Sequence, residues 1–213
     1  MKALIKFYSL TIILIILFVS CENKTELTGN YISGTVENYD PTTFDSINCM
    51  DYQLDSNYLM ITKYHKVGKC TISKNGNFNT ALNEPLYTYP IMDRIDKAMV
   101  ISDSTAIIGY LILQAYKNGN VVGYVIKCSE EYYNYPTGSN FSTMIYVNKD
   151  VTINGTSNIG INFSTTYHLN LKKGWNEVIN TYTVTTLGTT TKSSLDVTNT
   201  TTEDLKWRFI KYN

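Results

Sequence analysis

From Asn30 onward the chain alternates apolar and polar residues with a period of two, the period of a strand that buries one face. Ile32, Gly34 and Val36 alternate with Tyr31, Ser33 and Thr35. Tyr167, Leu169 and Leu171 alternate with Thr166, His168 and Asn170, and Leu205, Trp207 and Phe209 alternate with Lys206, Arg208 and Ile210. Asn75-Gly76, Asn118-Gly119 and Asn154-Gly155 follow the strand-like runs Val67 to Ser73, Ile107 to Tyr116 and Val151 to Ile153. Asn-Gly suits a type I′ turn, whose two central residues both need φ > 0, so the three dipeptides predict three hairpins. Leu171-Lys172-Lys173-Gly174-Trp175 predicts a fourth, with Gly174 as the left-handed residue of a three-residue loop.

One apolar and one polar face per strand predicts two sheets packed face to face. The expected fold is all-β: an antiparallel β-sandwich, with a small N-terminal Ig-like sandwich over residues 30–90 and a larger C-terminal sandwich over 105–213. The boundary rests on residues 83–104, where Pro85 and Pro90 precede Met92 to Lys97, a stretch that fits one or two helical turns; residues 91–104 read as the linker. A single continuous sandwich is the alternative, since the first piece is small for an independent core and all-β domains can be long. Thr181 to Thr202 holds 11 Thr in 22 residues. It reads as an edge strand leading into a solvated loop.

Composition agrees. Thr (28), Asn (22) and Tyr (18) against 5 Ala argue for strands over a helix bundle. Lys plus Arg (18) balances Asp plus Glu (18), with no basic block. That excludes nucleic acid as a partner, because phosphate attraction needs a concentrated positive face.

Residues 1–20 stand apart. Lys2 and Lys6 precede the uncharged apolar stretch Phe7 to Val19, then small Ser20 and Cys21. This is the layout of a secretory signal peptide. Phe18-Val19-Ser20-Cys21 resembles the lipobox of bacterial lipoproteins, with Phe18 in place of the usual aliphatic residue. The resemblance implies removal of residues 1–20 and lipidation of Cys21, with 21–29 as the lipid anchor and tether. Each buried methylene contributes about 0.8 kcal/mol, so several acyl chains hold firmly where one holds marginally. The alternative is an uncleaved membrane helix, for which this stretch is short. Removing residues 1–20 leaves a formal charge of −2.

Beyond the lipobox, the chain resembles small envelope lipoproteins of the Bacteroidota. The likeness rests on Cys21, on Ile32-Ser33-Gly34-Thr35-Val36-Glu37-Asn38-Tyr39, on Lys74-Asn75-Gly76-Asn77-Phe78 and on Leu171-Lys172-Lys173-Gly174-Trp175-Asn176. It implies β-sandwich folds, a location in the cell envelope at the outer membrane, and binding or presentation of glycans and proteins. It implies no reaction.

The search for chemistry is consistent with that. Two His 103 residues apart and no Cys-x-x-Cys give no metal site. No Gly-x-Ser-x-Gly elbow and no phosphate loop is present, so no cofactor and no catalysis are expected. Carboxylates able to pair in space as in a glycosidase are Glu84, Glu130, Glu131, Glu177 and Glu203, which keeps a glycan-active enzyme as an alternative. A purely structural subunit of a surface assembly is the third reading. Cys49, Cys70 and Cys128 are odd in number, so one is free; Cys49 and Cys70 either pair or serve as buried free thiols. The candidate ligand site is Ser129 to Asn140, where Tyr132, Tyr133 and Tyr135 stand beside Glu130, Glu131 and Asn134. Tyrosine offers a flat apolar face and a hydroxyl at low entropic cost, which suits a glycan or protein ligand. The same rings could instead lid the core.

Overall fold

A computed structural model describes residues 30–56, 60–96, 98–129, 137–159, 162–187, 190–200 and 205–212. The fold is all-β and sandwich-like, a large curled sheet packed with a small one. The elements are β1 (Tyr31–Thr35), β2 (Ser46–Leu54), β3 (Ile61–Thr71), β4 (Asn77–Ala81), β5 (Tyr89–Pro90), α1 (Ile91–Arg94), β6 (Val100–Ile101), β7 (Ile107–Lys117) and β8 (Asn120–Cys128). They continue with β9 (Ser139–Val147), β10 (Val151–Ile159), β11 (Phe163–Leu171), β12 (Gly174–Leu187), β13 (Thr190–Thr198) and β14 (Lys206–Lys211). No helix among the described residues is long and apolar enough to cross a membrane.

β1 and β4 make the small antiparallel sheet, with Ile32 opposite Thr80. The large sheet runs β3-β2-β7-β8-β9-β12-β13-β11-β10-β6, with β14 on β8 and β5 on β7. β7 is the strand on which it bends. Its Leu113–Lys117 half pairs with β8, while Ile108 to Leu111 pair with β9. Both β7 and β9 are buried on two faces. Leu111, Leu113 and Ala115 of β7 and Met144 and Tyr146 of β9 face one core, together with Trp175 and Trp207. Ile108 of β7 and Ile145 and Val147 of β9 face a second core, closed by β10, β11, β12 and β13.

The two segments expected as separate domains share this sheet. β2, from before residues 91–104, pairs with β7, from after them, over Ser46 to Asp51. Strands from the first 90 residues are divided: β1 and β4 form the small sheet, while β2 and β3 extend the large one. Residues 91–104 do contain the expected helical turn, and it is put to use. Ile91, Ile95 and Met99 are buried against the second core.

The turns separate local chemistry from tertiary context. Asn118 (φ 51°) and Gly119 (φ 81°) form the expected β7–β8 turn, with φ positive at both residues. Asn75-Gly76 turns the chain, with Gly76 N–H donating to Ser73 O at 2.9 Å, but β3 and β4 on its two sides belong to different sheets. Asn154-Gly155 is not a turn. It lies inside β10, with Asn154 opposite His168 and Gly155 opposite Tyr167. Gly155 has φ 136° and passes beneath Met99, whose Sδ would stand 3.0 Å from an added Cβ, so the glycine serves close packing. Leu171 to Trp175 makes no hairpin either: β11 pairs with β10 and β13, and β12 pairs with β9 and β13. The Thr-rich stretch is two strands rather than a strand and a loop. β13 inserts between β12 and β11, parallel to the latter, and turns Leu195 and Val197 to the second core.

Candidate functional site

The second core is open at one end. There residues of seven strands and α1 enclose a cavity of about 320 Å³. Its floor is aliphatic, built from Ile108 (β7), Ile145 (β9), Ile153 (β10), Leu169 (β11), Val178 (β12) and Val197 (β13). The period-two alternation of each strand puts these side chains on one face. Towards the mouth the same faces become polar: Tyr52, Arg94, Tyr110, Thr143, Tyr167 and Asn180.

The mouth is a connected group. The Tyr52 and Tyr110 rings stack with centroids 6.0 Å apart and planes 20° apart. The Arg94 guanidinium lies 5.3 Å from the Tyr110 ring centroid and 5.7 Å from that of Tyr89. Arg94 Nε–H also donates to the Tyr110 hydroxyl at 3.2 Å. Cation–ring contacts of this kind are worth about 0.5–2 kcal/mol, more when water is excluded. Tyr89 ties the group to β2, because its hydroxyl accepts from Leu54 N–H at 2.6 Å and donates to Tyr52 O at 3.2 Å. Asn180 Nδ2–H donates to Thr143 Oγ1 at 3.1 Å.

Burial pushes the Tyr52 hydroxyl up to about 12, with Tyr110 adding to the shift and Arg94 opposing it. Burial raises Tyr110 and Tyr167 as well, again against Arg94. A buried phenolate would lose its hydration, so the three phenols stay neutral O–H groups at physiological pH. Among the described residues the lining carries no carboxylate, imidazole or thiol. Its chemistry is an apolar floor, neutral hydroxyls, one amide and one guanidinium.

A second constellation lies on the opposite face of β2. Asp51 is fully buried. Its Oδ2 accepts the N–H groups of Leu86 (2.5 Å) and Tyr87 (2.8 Å), and its Oδ1 is 3.0 Å from His65 Nδ1 on the neighbouring β3. The His65 side chain is 42% exposed. The carboxylate thus fixes the 85–87 segment to the sheet and orients a half-exposed imidazole.

Cys21, Tyr132, Tyr133 and Tyr135 lie outside the described residues, as do Glu130, Glu131 and Glu203. The flanks of the tyrosine segment are tied to β12: Gly138 N–H donates to Tyr182 O at 2.8 Å, and Asn140 and Ser139 stand opposite Thr181 and Tyr182. Thr143 and Asn180, which line the mouth, lie farther along the same two strands, near their middles. Glu84 is exposed. Glu177 is bound by Lys127 at 3.0 Å and by the Ser142 hydroxyl at 2.6 Å. His168 is exposed on β11. Among the described residues no three of His, Cys, Asp and Glu gather to hold a metal ion. Cys49, Cys70 and Cys128 are buried free thiols.

Sequence reasoning passed over Tyr52, Arg94, Tyr110, Tyr167 and Asn180. They come from five elements, and each sits in an ordinary strand or turn pattern. The one local hint is Arg94 between Ile91 and Ile95, a cation set between two buried isoleucines. No protein-family model matches the chain, and no curated protein or solved structure matches it either.

Proposed function

We propose that this chain is an exported, lipid-anchored protein of the cell envelope, held at the outer membrane through Cys21, and that it binds a ligand without reacting with it. The observation that carries the binding reading is the cavity of about 320 Å³, at the lower end of the roughly 300–1,000 Å³ of small-molecule sites. Its aliphatic floor and its mouth of phenols, amide and guanidinium suit a small amphipath: an apolar body below, an anionic or hydroxylated head beside Arg94 and Tyr110. A glycan or protein ligand would then enter only by such a terminal group. What supports binding over catalysis is the make-up of the described lining: aliphatic side chains, neutral hydroxyls, one amide and one guanidinium.

The test is calorimetric titration of the exported chain with octanoate, octanol and a panel of oligosaccharides. Octanoate is expected to bind most tightly. Thr143→Trp, which fills the mouth, should weaken it at least tenfold while the melting temperature holds. Arg94→Gln should remove the preference for octanoate over octanol. Unchanged binding in Thr143→Trp would overturn the pocket reading. An oligosaccharide signal that disappears when Tyr132, Tyr133 and Tyr135 are all replaced by Ala would move the site to that segment.

A further inference from the structure

Cys49 and Cys70 stand on adjacent antiparallel strands, β2 and β3. Ile47 is opposite Cys70 and Cys49 is opposite Gly68, so the two cysteines are diagonal neighbours on one face. That face is the first core, where both are 1% exposed or less. The residue directly across from Cys49 is a glycine, so no side chain stands between the two thiols. The two thiols lie close enough to influence each other, which raises Cys49 and lowers Cys70. The lowered partner is the better nucleophile of the two. A break in the β2–β3 register between Cys49 and Met50 gives the backbone slack at this point.

β3 ends the large sheet and pairs with β2 alone within it. On its outer side this strand of 11 residues has no ladder partner, only single bonds from Asn83 N–H to Val67 O (2.9 Å) and from the Thr80 hydroxyl to Lys69 O (3.1 Å), and fraying begins at such an edge. We infer that Cys49 and Cys70 are the site of an intramolecular disulfide that fastens this edge strand to β2 once the chain meets an exchangeable disulfide. The chemistry is thiol–disulfide exchange. Cys70 thiolate attacks one sulfur of RSSR, forming a mixed disulfide and releasing one thiolate. Cys49 gives up its proton, attacks the Cys70 sulfur and releases the second. Two protein thiols become one S–S bond, and RSSR is reduced to two RSH. Because both thiols are buried, the reaction proceeds before β3 pairs or while it is peeled away. Cys128, on β8 and not on this face, takes no part.

The test is refolding of the full chain from urea with oxidised glutathione as the disulfide, followed by alkylation without reduction, trypsin and mass spectrometry. The cysteines fall in separate fragments, residues 25–63 for Cys49, 70–74 for Cys70 and 128–149 for Cys128. The expected result is a linked 25–63/70–74 species two hydrogens lighter than the sum, with Cys128 alkylated. Cys49→Ser should abolish it and leave Cys70 carrying glutathione. In the linked protein, native-state cleavage at Lys66 and Lys69 of β3 should slow several-fold. Recovery of 25–63 and 70–74 as separate alkylated peptides, or linkage of either to 128–149, would overturn the inference.

Discussion

The two cores share β7 and β9 yet end differently. The first is closed: the small sheet lies over it, Trp207 meets Phe78 edge-on with centroids 5.3 Å apart, and Trp175 meets Tyr146 at 5.5 Å. The second has an equally apolar floor, but its upper layer is tyrosine, arginine and asparagine around an open cavity. Large aromatic side chains fill the first to the density expected of an interior. In the second, the aromatics stand at the rim with their hydroxyls held by Leu54, Tyr52 O and Arg94. A core that only stabilises is filled, whereas one that keeps a preformed void gives up dispersion contacts there and is left able to receive a guest.

That contrast can be tested by truncation. Trp207→Ala empties a closed core and should cost about 3–5 kcal/mol, whereas Leu169→Ala only widens a cavity already present and should fall near the lower end, about 2 kcal/mol. Urea unfolding of both variants measures the difference, and equal losses would erase the distinction between the cores. Next in size is Asp51→Ala. It leaves the Leu86 and Tyr87 N–H groups and His65 Nδ1 without their buried acceptor, at a cost of about 3 kcal/mol. A loss below about 0.5 kcal/mol on the same urea curve would mean that the 85–87 segment is held by its packing alone.

The smallest effect concerns residues 103–105, between β6 and β7. Asp103 is held down to about 2 by the Thr105 hydroxyl first, then by Thr105 N–H and Lys149. A carboxylate whose folded pKa lies below its unfolded value of 3.8 stabilises the fold at pH above that value. The contribution is lost as pH falls from about 4 to about 2. Asp103→Asn should therefore be less stable than the parent at pH 6, and most of that gap should be gone at pH 2. A gap undiminished at pH 2 would show that charge at Asp103 is not what secures residues 103–105.

Much of the fold was legible because strand alternation is a local property. The inward residues of β11 and β14 and the Asn118-Gly119 turn follow from period and φ preference alone. Asn154-Gly155 and Leu171 to Trp175 were misleading for one shared reason. Turn chemistry permits a turn but does not require the flanking strands to pair with each other, and here their partners lie elsewhere in the chain. Thr190 to Thr198 read as loop because its apolar residues are sparse. It is a strand because β11 and β12 offer ladders on both of its sides.

Local pattern alone makes the chain all-β and sets which faces of β11 and β14 turn inward. Those are decided by neighbours one to four residues away. Long-range pairing is what joins β2 and β3 to the sheet of the later strands while β1 and β4 form a sheet of their own. The same holds for Asp51 meeting His65 and Leu86, and for Tyr52, Arg94, Tyr110, Tyr167 and Asn180 converging on one mouth. Those meetings depend on which strands pair. Pairing is selected by the joint burial of whole faces rather than by any short run of residues.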